Sequence, residues 1–549
     1  MVHQIHRCLF IYPHFTSKSF WNYRATCEVS GAKYPAAPLG LITVAAMLPP
    51  EWEVRLADLN AEELDKDDVE WADLLFMGGM ISQQPDHLRL IESFRAMGKT
   101  VVVGGPDATS SPHLYDRAHH LVLGEAEVTL PEFLRDFAEG RAKHIYKTGE
   151  RRAEMEESPV PRFDLLKFEN YLHIGIQWNR GCPFMCEFCD IIELFGRVPR
   201  PKSEGQVLEE LQKLYDLGYR GHVDIVDDNF IGNKKAVKAL LPSIIQWLKG
   251  HDWPFEFSTE ASLNLADDEP LMDLMMEAGF TWLFVGIENP DEAALLATQK
   301  RQNTHRSIVD SVHKIIRHGM IVNAGYIVGL DGEKEDVAQA ILDNIEATNI
   351  PVNMVGLIYA LPNTQLTRRL AREGRLDKGF ERPPDDTACQ CVAGLNFRTR
   401  RPRADILRDF RRIVKEALIP EKYFGRVLRM ALLLDCSKKR LKTPIKNRLR
   451  DLKAFFKLCF SLGRWKTTRV HFWKVFGQCL FRNPMALRQA VSLMALYLHF
   501  GDFRDFVLGR IDAEISLLSK EGDPRLQVAE SIPSFPALTG PVAAMGGKA

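Results

Sequence analysis

NRGCPFMCEFCDI, running from Asn179 to Ile191, sets Cys182, Cys186 and Cys189 at a C-x3-C-x2-C spacing. It follows directly on HIGIQW (His173–Trp178), a short run of strand character. Thiolates are the usual ligands of iron–sulfur clusters, commonly four to a cubane. Three on one compact loop hold three irons and leave the fourth open to a substrate. Zinc competes, but a closed structural site wants four ligands, and the loop holds no histidine and no further cysteine. A chance grouping of cysteines is the bland alternative. Ten cysteines in 549 residues are too sparse for a disulfide framework, so in a reducing compartment the grouping points to metal or redox chemistry.

Outward from this loop, short apolar runs recur at a stride that suits one βα unit each: HVDIVD (His222–Asp227), FEFSTE (Phe255–Glu260), WLFVGIE (Trp282–Glu288), IVNAGYIVGL (Ile321–Leu330) and VNMVGLIYAL (Val352–Leu361). With the strand before the loop they make six units over residues 159–385. That is short of the roughly 250 residues of a full eight-unit barrel, so a partial (β/α)6 barrel is expected.

Residues 1–150 alternate the same way on a shorter stride. CLFIYP (Cys8–Pro13), VRLAD (Val54–Asp58), DLLFMGG (Asp73–Gly79), TVVVGGP (Thr100–Pro106) and HLVLGE (His120–Glu125) are candidate strands, and PDHLRLIESFRAMG (Pro85–Gly98) has helical apolar spacing. This predicts a doubly wound, flavodoxin-like α/β unit. Ligands of such sheets sit beyond the carboxyl ends of the strands. Here those ends carry Gly78, Gly79 and Met80, then Gly104, Gly105 and Pro106, then Gly124 and Glu125. The glycines suit close backbone approach to a bulky ligand, or simply tight strand-to-helix turns.

The net charge of -1 conceals a split. Residues 391–549 hold 31 Lys and Arg against 13 Asp and Glu, so the rest of the chain is strongly acidic. Strand signals fade there, and a mainly helical region is expected over 390–520, followed by a loose tail from 521 to 549. From Ile445, the residues Leu449, Leu452, Phe455, Phe456 and Cys459 fall on one helical face, with Lys446, Arg448, Arg450, Lys453 and Lys457 around the remainder. Three readings are open: an amphipathic contact with an anionic membrane, a nucleic-acid contact through phosphates, or a solvated face balanced by the acidic remainder. Nucleic acid is the least favoured. No apolar stretch reaches the ~18 residues of a membrane span, and the N-terminus reads as a strand, not a signal peptide. A cytoplasmic location is expected, with contact at the inner face of a membrane as the variant.

The cysteine spacing, with Phe188 directly before the third cysteine, resembles the signature of the radical S-adenosylmethionine (SAM) superfamily. Later strand ends agree with that resemblance. It implies SAM contacts from Asp227, Asp228 and Asn229 (DDNF), from Glu260 and Glu288, and from Gly325, Ile327 and Gly329 in GYIVGLDGE; LPNTQL (Leu361–Leu366) is similar to a sixth-strand ending, with Asn363 in place of the usual glycine. Each motif is weak alone, since acids cap helices and glycines pack; their order behind the cysteine loop raises them. PAAPLGLITVAAMLPPEWEVRLADLN (Pro35–Asn60), the glycine ends of the first unit and LIPEKYFGRV (Leu418–Val427) resemble the B12-binding radical SAM proteins with a DUF4070-type third region, to which hopanoid C-2 methylases belong.

That resemblance implies a [4Fe-4S] cluster on Cys182, Cys186 and Cys189, SAM, and cobalamin held by the first unit. The histidine motif D-x-H-x-x-G is absent, and Asp86-His87 has the wrong spacing. An apolar side chain such as Met80 is expected near the lower face instead. The implied activity is methyl transfer to an unactivated carbon of a small molecule or lipid through a 5′-deoxyadenosyl radical, with a flavodoxin or ferredoxin as reductant. Two alternatives stand beside it: a radical rearrangement, cyclisation or oxidation without methylation, and a cobalamin or redox sensor with a regulatory cluster. Cys389 and Cys391 are read as packing residues, with a ligand role as the alternative.

Overall fold

Fifteen strands and the helices between them place two parallel sheets side by side, seen in a computed structural model that describes residues 6–15, 18–149, 151–382, 392, 394–437, 441–442 and 445–521. Cys389, Cys391 and the tail beyond 521 lie outside the described residues. The first part of the chain forms β1 (Arg7–Tyr12), β2 (Tyr34–Ala36), β3 (Glu53–Asp58), β4 (Leu74–Gly78), β5 (Thr100–Gly104), β6 (His120–Leu123) and β7 (Ile145–Lys147). Six of these make one sheet in the order β3-β1-β4-β5-β6-β7, all parallel. Its central strands are apolar on both faces because helices cover both. Leu9, Ile11, Leu75 and Val101 pack with Leu90, Ile91 and Phe94 of the helix Gln84–Ala96. Phe10, Phe76 and Val102 pack with Leu130 and Phe133 of the helix Ala126–Ala138. The expected doubly wound unit is present.

β2 does not join that sheet. Tyr34 and Ala36 pair with Tyr171 and His173 of β8 (Tyr171–Ile176), the first strand of the second sheet. A three-residue strand containing Pro35 carries too little pattern to read from sequence, and proline in a sheet is confined to such edges. After β8 come the two-residue strands β9 (Asn179–Arg180) and β10 (Arg200–Pro201), which pair antiparallel across the cysteine loop. Then follow β11 (Gly221–Ile225), β12 (Phe255–Glu260), β13 (Phe280–Glu288), β14 (Ile321–Val328) and β15 (Asn353–Leu357). The second sheet runs β15-β14-β13-β12-β11-β8-β2, parallel throughout, and curls without closing. It is the expected partial barrel, with one more strand than its six βα units.

The open side is filled by helices: Arg403–Ala417, Pro420–Leu433, Ile445–Ser461, Arg469–Arg482 and Leu487–Glu521. They share one apolar core with the barrel, which takes in Val223, Phe257 and Tyr326 from strands and Phe410, Tyr423, Phe472 and Met494 from helices. The segment Leu418–Val427 supplies the fastening. Tyr423 Oη donates to the Leu493 carbonyl at 2.7 Å, and the fully buried Arg426 donates to the Ile350 carbonyl and pairs with Glu346. The helix Ile445–Ser461 turns part of its expected apolar face outward. Leu449, Leu452 and Phe456 are exposed, and Leu458 is the buried residue. Among the described residues, no helix is long and apolar enough to cross a membrane.

Candidate active site

The cysteine loop is held by groups from both sheets. Asp227, fully buried at the end of β11, accepts hydrogen bonds from the backbone N–H of Trp178 (2.9 Å) and Asn179 (3.0 Å). Burial raises its carboxyl to about 8, against the pull of those two donors. It is a clamp on the loop entry. Arg180 pairs with Glu127 at 2.8 Å and Glu125 at 3.3 Å, and Arg200 pairs with Glu125 at 2.9 Å. The first sheet is thereby tied to the loop by buried ion pairs. Gly181 (φ +91°) could take no other residue, since a Cβ there would stand 2.8 Å from the Val198 carbonyl oxygen. Glu187, between the second and third cysteines, pairs with Arg369 at 2.7 Å.

Within this brace the three thiols are electrostatic neighbours. Burial first, then Asp190 and the other two cysteines, pushes the Cys189 thiol far up. Gln302 Nε2 donates to Cys186 Sγ at 3.4 Å. Among the described residues no three His, Cys, Asp or Glu side chains converge on a single-ion point, as a closed zinc site requires. Three cysteines on one loop, each able to take a different iron, are the donor set of a cluster with one corner left open.

Carboxyl groups stand at or just beyond the ends of the strands that follow the cysteine loop. Asp228 is raised to about 7 by burial and by Asp190. Glu260 projects from the end of β12 into the cavity and is solvent-exposed there; the protein crowded around it, then Asp228 and Asp224, raise it to about 8. Glu288, in a left-handed conformation (φ +66°), pairs with Lys300 at 2.7 Å. Burial favours the neutral form of Lys300, but the Glu288 carboxylate outweighs it and raises the lysine above its usual range. Sequence reasoning missed Lys300, Arg180 and Gln302, because each acts through a partner distant in sequence. With Glu288 paired to Lys300, Asp228 and Glu260 leave an excess of acid over base that suits a cationic ligand such as one bearing ammonium and sulfonium groups.

The other expected SAM residues divide. Asn229 lies against Cys182 and accepts from the Ser262 backbone N–H. Phe188 packs half-buried on the barrel core. Gly325 backs the Phe284 ring, where a Cβ would approach to 3.0 Å, and Ile327 follows on the same face of β14. Gly329 turns away: a Cβ there would meet Leu395 at 2.7 Å and Ile358 at 3.1 Å, so it is a packing glycine. Asn363 adopts a left-handed φ of +64° and donates to the Ser110 carbonyl of the first unit.

Two cavities flank this acidic end. One, about 860 Å3, occupies the barrel lumen and is lined from Glu260 downward by Trp21, Tyr23, Trp282, Phe284, Phe455 and Phe476 among others. The other, about 330 Å3, lies at the carboxyl ends of the first sheet. Gly78, Gly79, Met80, Gly104, Gly105, Pro106, Gly124 and Glu125 all line it, beside Gln177, Arg180 and Val226 from the barrel side. The glycines have a packing reason too. A Cβ at Gly104 would stand 2.8 Å from the Val122 carbonyl oxygen, and one at Gly124 would stand 2.6 Å from Thr148. Met80 is exposed at this end. His87 is fully buried beside Tyr115 and does not reach the cavity.

Comparison with known proteins agrees with this layout. Residues 176–345 match the radical SAM superfamily, and residues 364–513 match a domain of unknown function, DUF4070. An uncharacterized methyltransferase of Synechocystis sp. is 41% identical over 95% of this chain and 96% of its own. Hopanoid C-2 methylase of Rhodopseudomonas palustris is 37% identical over 67% of this chain and 71% of its own. Among solved structures, the radical SAM methyltransferase TsrM from Kitasatospora setae, with cobalamin and a [4Fe-4S] cluster bound, superimposes with a TM-score of 0.57 at 17% identity, covering 89% of this chain and 99% of that one. The cobalamin-dependent radical SAM enzyme OxsB also gives 0.57, at 15% identity, covering 95% of this chain and 83% of its own. These two likenesses establish the fold. The chain belongs to the radical SAM methyltransferase family that includes hopanoid C-2 methylase and carries a DUF4070 region.

Proposed function

We propose that this protein is a cobalamin-dependent C-methyltransferase acting on an unactivated carbon of a lipid-like substrate. The observation that carries the reading is the lumen cavity itself, with Glu260 at the strand end that follows the cysteine loop and Trp21, Tyr23, Trp282, Phe284, Phe455 and Phe476 along its wall. When bound, the cluster, SAM and cobalamin would together supply hydrogen removal and methyl transfer, as cofactors carry such chemistry. Cys182, Cys186 and Cys189 would hold the cluster.

The chain's own residues do the positioning. Asp228 and Glu260 present carboxyl groups that a cationic ligand would draw into the ionised form, the charge-neutral Glu288–Lys300 pair stands beside them, and Asn229 orients next to Cys182. Gly325 and Ile327 leave a flat wall on β14. Gly78, Gly79, Met80, Gly104, Gly105, Pro106 and Gly124 border the second cavity and would hold cobalamin there. Glu125 is spent on Arg180 and Arg200 and acts as a brace there. The aromatic part of the lumen wall suits an apolar substrate, beside polar groups that include His173, His222, Asp224, Glu256 and Asn323. In this assignment residues 1–150 serve cobalamin, 159–385 serve SAM, and 390–520 close the lumen; a flavodoxin or ferredoxin supplies electrons.

The test is anaerobic reconstitution with iron, sulfide and hydroxocobalamin, followed by product analysis with a polycyclic lipid. Methylation produces S-adenosylhomocysteine together with 5′-deoxyadenosine. 5′-Deoxyadenosine alone would replace this reading with a non-methylating radical reaction, and neither product would leave a sensor.

A further inference from the structure

The helices Ile445–Ser461 and Arg469–Arg482 form a hairpin, joined by the Phe455–Phe476 ring stack at 5.2 Å. One side of it faces the interior. Phe455, Leu458 and Phe476 line the lumen cavity, and Phe472, Val475 and Cys479 are buried. The other side has no cover among the described residues. Leu449, Leu452, Phe456 and Phe460 stand at helical spacing on the first helix and are 50–67% exposed. The second helix exposes Val470, Trp473, Leu480 and Phe481, the last at 86%. All the large exposed aromatics found among the described residues fall between 456 and 481. Such a clustered apolar face marks an interaction surface, not ordinary exposure.

Charge decides what it meets. Residues 445–485 contain ten Lys and Arg and a single acid, Asp451. Lys453, Lys466, Lys474 and Arg482 are exposed along the same hairpin. A basic rim around aliphatic, Phe and Trp side chains is the surface that binds an anionic bilayer, where aromatic rings sit at the headgroup level and cations pair with lipid phosphates. A partner copy of this chain would bring a second basic rim against the first.

We infer that this hairpin docks on an anionic lipid bilayer and brings the wall of the lumen, through Phe455 and Phe476, to the membrane from which an apolar substrate enters. The entry part rests on the lipid-substrate reading above; the docking part does not.

The test uses the full reconstituted chain and vesicles of phosphatidylcholine with and without phosphatidylglycerol, free of any substrate. Flotation is expected with the anionic vesicles and falls as salt rises. Phe456→Glu with Phe481→Glu lowers the bound fraction about tenfold or more, while 5′-deoxyadenosine formation stays at the parent rate. Lys466→Glu with Lys474→Glu, which removes no apolar contact, lowers it as well and flattens the salt dependence. Equal flotation of the parent and both variants overturns the proposal. So does a dimer of the parent that Phe456→Glu dissolves and that leaves vesicles unbound. Flotation is read apart from the product analysis with a polycyclic lipid described above: docking with no methyl product in that analysis would remove the methylation reading and leave docking in place, and methyl product with no vesicle binding would do the reverse.

Discussion

Gly286 shows how one missing atom shapes the site. A Cβ there would lie 2.3 Å from Glu288 Oε1 and 2.8 Å from Lys300 Nζ, so only glycine leaves room for the Glu288–Lys300 pair. Gly286→Ala is expected to slow 5′-deoxyadenosine formation about a hundredfold, since small displacements of catalytic groups cost that much; a rate equal to the parent's would remove Glu288 from the site. Glu260 gives a pH signature. Its carboxyl is raised to about 8 in the ligand-free fold, so folding loses stability from this residue as pH rises from the ordinary glutamate range through 8. A cationic ligand favours the ionised form, so SAM affinity should rise with pH between 6.5 and 8. Equilibrium titration of reconstituted protein checks this, and Glu260→Gln should flatten the slope. Of these residues, Glu260 and Glu288 were legible as strand-end acids, whereas Lys300 was not, because its meaning comes from a partner across a loop.

At the scale of elements, the tie between the first sheet and the cysteine loop is Arg180 on β9. Removing it leaves Glu125 and Glu127 buried with one cation fewer. Breaking a buried pair in this way costs about 3 kcal/mol, so Arg180→Ala should lower the midpoint of urea unfolding accordingly. An unchanged midpoint would show that Arg200 alone suffices. The strands of both sheets were readable because each is a run of β-branched and aromatic residues ended by glycine, proline or an acid. β2 and β7 were not, being three residues each, and pairing partners, not local composition, make them strands. The stripe at Leu449, Leu452 and Phe456 was readable as a helical face, but periodicity does not say whether a face meets core or surroundings.

For the whole molecule, the proposed function divides the work between the two cavities, and one substitution separates them. Gly40 borders the cavity of the first sheet, and a Cβ there meets nothing within 4 Å. Gly40→Trp should therefore fold, fill that space and lower retained cobalamin about tenfold, measured by absorbance after gel filtration. 5′-Deoxyadenosine should still form while methyl product disappears. Loss of both would mean that the cavities are not independent.

Sequence by itself determined the parallel α/β class, the three thiols on one loop and the acids that follow them, because spacing and alternation are properties of the chain's own geometry. Tertiary structure alone decided that Asp227 clamps backbone, that Gly329 packs while Gly325 faces the lumen, and that the basic hairpin turns its apolar stripe outward. Those outcomes depend on what lies across a gap in space, and local periodicity carries no record of that neighbour.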